Sequence, residues 1–218
     1  MARKVLLVCG ILSSLLYVAM NIFVAMQYQG YSFASQTVSE LSAIDAPTRP
    51  LWVPLGIAYT LLVAVFGLGV WESAGPNRPL RVLGGLLIVS GIIGFAWPPM
   101  HQRAVLAAGG GTLTDTLHLV WAAVTSLFFI LEIGFGTAAF GRRFRIYSIV
   151  TMAILVVFGA LVGVEAPNVG KNLPTPWIGV WERINIGVFM LWIIVLAIAL
   201  LRVRETYDVR ALKPIAAS

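Results

Sequence analysis

The chain is short of charge. Of its 218 residues, 11% are Asp, Glu, Lys or Arg and 59% are apolar, giving a mean hydropathy of +0.91. That lies far outside the range of soluble globular domains and marks a polytopic membrane protein. The single cysteine, Cys9, sits inside an apolar run, which excludes a disulfide framework and a thiolate metal cluster. Only two histidines are present, His101 and His118, so one chain cannot build a three-histidine zinc site. The net charge is +6, yet the basic residues flank hydrophobic runs in small groups. That pattern encodes membrane orientation, and no nucleic-acid partner is expected.

What the sequence does have is long apolar runs. The opening "MARKVLLVCGILSSLLYVAMNIFVAM" starts like a signal peptide. Its apolar run is too long for one and no A-x-A site follows, so a retained first span is expected. Crossing the hydrocarbon core takes roughly 20 apolar residues. Six segments qualify, at about 5–26, 51–71, 81–97, 115–140, 147–165 and 181–201. In lipid every backbone polar group must be paired within its own segment. The expectation is an all-α integral membrane protein, a bundle of six transmembrane helices forming one domain over residues 1–218.

Six spans place both termini on one side, and Lys and Arg say which. Arg3, Lys4, Arg78, Arg81, Arg142, Arg143, Arg145, Arg202, Arg204, Arg210 and Lys213 fall on the side of the termini, eleven in all. Arg49, Arg103, Lys171 and Arg183 make four on the other side. The positive-inside rule then predicts cytoplasmic N- and C-termini. The cytoplasmic links are short and basic ("ESAGPNRPL", "GRRFRI"). The outer links carry seven of the eleven prolines together with Glu40, Asp45, His101 and Glu165. Trp52, Trp97, Trp121, Trp177 and Trp181 fall near the same face, as an interfacial aromatic belt would. Elaborated loops are where function is expected, so the outer side is the one to examine.

Small residues mark close helix contacts. Gly159 and Gly163 form G-x-x-x-G, and Gly84, Gly91 and Gly94 line the third span. The same faces offer a route to a homo-oligomer. "IDAPTRPLW" and "VEAPNVGKNLPTPW" echo each other as an internal repeat would, with spacings that differ by five residues.

The outer polar groups hold the chemistry. Asp115 and His118 are three apart, one turn above each other on a helix. With His101 they are the metal-ligand candidates for a divalent ion, and Glu40, Glu165 or Glu182 would complete its shell. No H-E-x-x-H signature is present. A simpler reading also exists: Thr112 with Asp115, and Thr37 with Glu40, match the capping box that starts a helix. His118 falls a turn inside its span, where an ionisable group needs a reason. Glu132 lies fourteen residues beyond it, about 21 Å along the axis and within roughly 40° of the same face. Asp115, His118, Thr125 and Glu132 should therefore look into the bundle as a candidate proton path, unless Glu132 snorkels toward Arg142 or Arg143. Arg183 is expected to pair with Glu165 or Asp115, or to hold a lipid phosphate. Ser39 would serve as a nucleophile only with a base nearby.

The strings "YSFASQTVSELSAIDAPTRPLW", "FAWPPMHQR", "GGGTLTDTLHLVW", "GRRFRIYSI" and "NLPTPWIGVWERINIGVF" resemble the bacterial membrane family known as domain of unknown function 998. The resemblance runs over nearly the whole chain. It implies a compact six-helix protein of the bacterial cytoplasmic (inner) membrane and no particular reaction. A more distant likeness is to six-span eukaryotic families linked to lipid asymmetry and autophagy. Another is to zinc-binding membrane hydrolases such as alkaline ceramidases and adiponectin receptors. Those hydrolases use three histidines, an Asp and a Ser, and this chain departs from them in its two histidines.

The resulting expectation is a protein that binds a lipid or small molecule in a polar site open to the extracytoplasmic face, with membrane lipids as partners. Glu40, His101, Asp115, His118, Glu165 and Arg183 would form its walls. One alternative is a metal-dependent hydrolase acting on a lipid, with His118, Asp115 and Glu40 as catalytic candidates. The other is a proton-coupled carrier using His118 and Glu132.

Overall fold

The computed structural model describes residues 2–211, and Lys213 lies outside the described residues. Among the described residues, six helices are long and apolar enough to cross a membrane, as the hydropathy pattern predicts. They are α1 (Ala2–Met26), α2 (Arg49–Ser73), α3 (Arg78–Ile93), α5 (Leu113–Ala139), α6 (Arg142–Gly170) and α7 (Ile178–Ala211). A one-turn helix, α4 (Arg103–Ala107), and two 3-10 turns (Val38–Ser42 and Gly94–Ala96) lie between them. Among the described residues the one extended pairing is an isolated bridge between Ile44 and His101. Large apolar side chains such as Leu119, Val157 and Val164 stand exposed around the outside, which suits a lipid-facing surface.

Neighbours in sequence are neighbours in space. Each long helix packs on the next, and α7 packs back on α1, so the six close into a ring. At one end, residues 74–77 and 140–141 suffice to turn the chain, and the short basic links lie here. The other end carries the three long links. Several predicted features are met differently. Glu165, expected in a link, is inside α6, because that helix runs through Pro167 to Gly170. The proline ring would collide with the carbonyl at Gly163 and cannot bond it; Gly163 is exposed with open space around it. The repeat-like segments do not match, since "IDAP" is a loop before α2 whereas "VEAP" is helical.

Glycine sets the tightest seam. A Cβ on Gly84 would lie 2.6 Å from the Trp71 backbone nitrogen, and one on Gly91 would lie 2.6 Å from that of Ala64. These contacts draw α2 and α3 together, as small residues do where lipid supplies no hydrophobic drive. Gly159 lies against the Asn185 amide, but Gly163 touches nothing within 4 Å, so the predicted G-x-x-x-G contact is half made. Toward the basic end the ring is plugged by Leu7, Phe66, Leu83, Ile133, Leu155 and Trp192.

Candidate functional site

The polar residues of the long links fold on one another. Glu40 closes the predicted capping box, its Oε2 accepting the Thr37 N–H at 2.7 Å and the Thr37 hydroxyl at 3.0 Å. Arg103 reaches it from α4, with Nε 2.6 Å from Oε1 and Nη2 2.8 Å from Oε2. The Gln36 amide donates to Oε1 at 3.2 Å. Arg103 also donates to the Thr175 hydroxyl and the Ser35 carbonyl, each at 2.7 Å. One bidentate pair thus ties the three long links together.

Asp115 closes the second predicted box by accepting the Thr112 N–H at 2.7 Å. Its carboxylate also takes the His101 backbone N–H at 2.7 Å and meets His101 Nδ1 at 2.9 Å. Replacing Asp115 by Ala removes both the cap and the His101 tie. Unfolding of the purified protein should become easier by about 1–2 kcal/mol, read as a lower midpoint in a denaturation series.

His118 is buried, as its place on the inner stripe requires. Nδ1 lies 2.8 Å from the Pro98 carbonyl. A carbonyl can only accept, so Nδ1 carries the proton and Nε2 is left as an acceptor. The Trp97 ring meets the imidazole edge-on, with centroids 4.9 Å apart. His118 therefore pins the Trp97–Pro98 turn at the end of α3 to α5.

Arg183 does not make the expected pair with Glu165 or Asp115. Its guanidinium points into the first link, donating to the carbonyls of Phe33 (2.9 Å), Gln36 (3.2 Å) and Gly179 (3.0 Å). It also bonds Asn21 Oδ1 at 3.1 Å and the Tyr31 hydroxyl at 2.7 Å, and stacks over Phe33. Burial pushes the Tyr31 phenol further above its ordinary value, so it stays protonated and donates to the Thr37 carbonyl at 2.7 Å. Beside Arg183, the Glu182 carboxylate accepts the Val38 N–H at 2.5 Å.

Beneath these links, on the axis of the ring, lies a cavity of about 510 Å³ with residues from all six long helices in its wall. None of Glu40, His101, Asp115, His118, Glu165 or Arg183 lines it. The polar groups that do are Arg49, Ser39, Ser42, Glu182 and Asn185 toward the links, then Thr60, Thr125 and Ser126, and at depth Ser13, Ser14, Ser90 and Glu132. Its walls are otherwise apolar and aromatic. Glu132 faces inward as the α5 periodicity predicts and is fully buried. It does not snorkel to Arg142 or Arg143. Its Oε1 accepts the Ser90 hydroxyl at 2.6 Å, while Oε2 has no partner among the described residues.

The cavity also has a side opening. At ~1.5 Å per residue, α3 is roughly 24 Å long against roughly 40 Å for α5, so the wall between α2 and α5 ends early. Val53, Ile57, Phe95 and Trp97 line the cavity and are among the exposed large apolar side chains. Sequence reasoning named Glu132 and Thr125 on this face but missed Ser90, Asn185 and Arg49 as wall residues, and it missed Arg103 as the partner of Glu40. Arg103 had one legible signal, being a cation on the side where positive-inside patterning leaves few.

Among the described residues, no group of three or more His, Cys, Asp or Glu side chains is placed to hold a metal ion. In comparison with known proteins, residues 11–199 match the model of a family described as a protein of unknown function, DUF998. No curated protein and no solved structure matches the chain.

Proposed function

Because the chain belongs to the DUF998 family, a membership that brings no reaction with it, we propose from its own geometry that it binds an amphipathic lipid or small molecule in the central cavity. The observation that carries this reading is the cavity itself, about 510 Å³ and lined by all six long helices. Ligand sites are concave and largely apolar with a few placed polar groups, and this one has that composition. The exposed Phe95 and Trp97 at its side opening favour entry from the membrane over entry through the links, which are tied shut by Glu40–Arg103 and Arg183. With the basic residues inside, that opening faces the outer leaflet.

The two other readings have less support. A hydrolase using Glu40 as base would need a free lone pair, yet Glu40 already holds five donors. A proton-coupled carrier would need water to pass the plug of Leu83, Ile133 and Trp192 below Glu132.

Gly56 gives a clean test. It lines the cavity on α2, and a Cβ there would meet nothing within 4 Å. Gly56→Phe should fill the chamber without disturbing the helix seams. Mass spectrometry of the amphiphile that co-purifies should show a fall of about tenfold or more, corresponding to ~1.4 kcal/mol of binding. Identical contents in the two proteins would refute the reading.

A further inference from the structure

Glu132 is not explained by the architecture. A carboxyl group well inside a span is costly and normally has a partner or a task. Here one oxygen is satisfied by Ser90 and the other, fully buried, has none. Ser90 by itself would serve to join α3 to α5. It does not account for the second oxygen, which belongs to a residue lining the chamber.

The charge inventory of the chamber is lopsided. Two acids line it, Glu132 and Glu182, against one base, Arg49. Glu182 is held by the Val38 N–H at the link end. Arg49 donates to the Ser42 carbonyl at 2.5 Å, also under the links. From Trp121 at the upper wall to Glu132 is eleven residues, about 16 Å of helix. Among the described residues, no Lys, Arg or His in the chamber wall reaches the depth of Glu132. Around that depth the wall is rich in aromatic rings: Tyr59, Phe66, Phe129 and Phe189. Phe129 and Phe189 stack with centroids 3.7 Å apart, and Phe129 is one turn from Glu132 on the same face of α5.

An acid without a protein countercharge, set among aromatic rings at the end of an apolar chamber, is the chemistry that recognises an organic ammonium ion. The carboxylate supplies the charge and the ring faces supply cation–π attraction. We propose that the floor of the cavity is a binding site for the cationic head of a hydrophobic amine or quaternary ammonium compound, which enters through the side opening and is held at the free Oε2 of Glu132. The proposal rests on the cavity being a ligand site, and it adds the class of ligand.

The test uses the full chain in lipid nanodiscs and three probes with the same tail: dodecyltrimethylammonium, dodecanol and dodecyl phosphate. Titrations are corrected for bilayer partition with empty nanodiscs. Wild type should bind the ammonium probe at least about tenfold more tightly than the other two. Glu132→Gln, which keeps an acceptor for Ser90, should level the ammonium probe with dodecanol. Ser90→Ala should keep the preference, because the carboxylate remains. Equal binding of the three probes by wild type overturns the proposal without any variant, and so does a preference that survives in Glu132→Gln. In either case, loss of dodecanol binding in Gly56→Phe would leave the cavity reading standing. If Gly56→Phe also changed nothing, both would fall.

Discussion

Replacing Arg103 by Ala should lower the free energy of unfolding by about 3–5 kcal/mol, the range for removing one partner of a buried ion pair. The effect comes less from lost attraction than from what remains. Glu40 would keep a carboxylate that is 5% exposed and has lost its cation. Thr175 and the Ser35 carbonyl would each lose one donor too, the carbonyl keeping only the Thr175 hydroxyl at 2.8 Å. A double variant separates these causes. Adding Glu40→Gln to Arg103→Ala removes the stranded charge and should recover part of the loss, whereas Glu40→Gln alone should be damaging. Denaturation midpoints of the four proteins, purified in one detergent, complete the cycle. Equal midpoints for wild type and Arg103→Ala would mean that the three long links are held without this pair.

Gly84→Leu should be comparably severe for a different reason. The site has no room even for a Cβ, which would fall 2.6 Å from the Trp71 nitrogen. That neighbour is backbone, so no side chain can rotate away and the helices themselves must part. Overpacking commonly costs about 1–3 kcal/mol, and a backbone clash at a glycine seam should reach about 3 kcal/mol or more. Separating α2 from α3 also reshapes the cavity wall they share. The variant should therefore lose both its thermal midpoint and its co-purifying amphiphile, unlike Gly56→Phe, which should lose only the second. A Gly84→Leu protein with a wild-type midpoint would show that the seam is slack.

The six helices were legible because crossing a membrane imposes one local rule, a sustained apolar run, which each segment obeys by itself. The capping acids Asp115 and Glu40 were legible for a similar reason, since the box is written within four residues. The inward stripe of α5 followed from periodicity, and Glu132 and His118 both lie on it. Partners across the chain were not legible. Arg103 finds Glu40 over a separation of 63 residues and Arg183 finds Tyr31 over 152. Nothing local chose Tyr31 and the loop carbonyls over Glu165 or Asp115 as partners for Arg183. Loop polarity points to the links as the site, whereas those groups are spent on one another and the open polar atom lies at the floor beneath them.

The ring has a consequence for the order of assembly. Its last seam joins α7 to α1, and the first link gets the Arg183 and Glu182 contacts only from α7. During synthesis from the N-terminus, the first five spans form an open crescent with Glu132 on its inner, unshielded edge. The chamber comes into being only when the final span docks. A chain ending before Ile178 would lack one wall and also the bolt that closes the first link, so the capacity to bind should appear all at once with the sixth span.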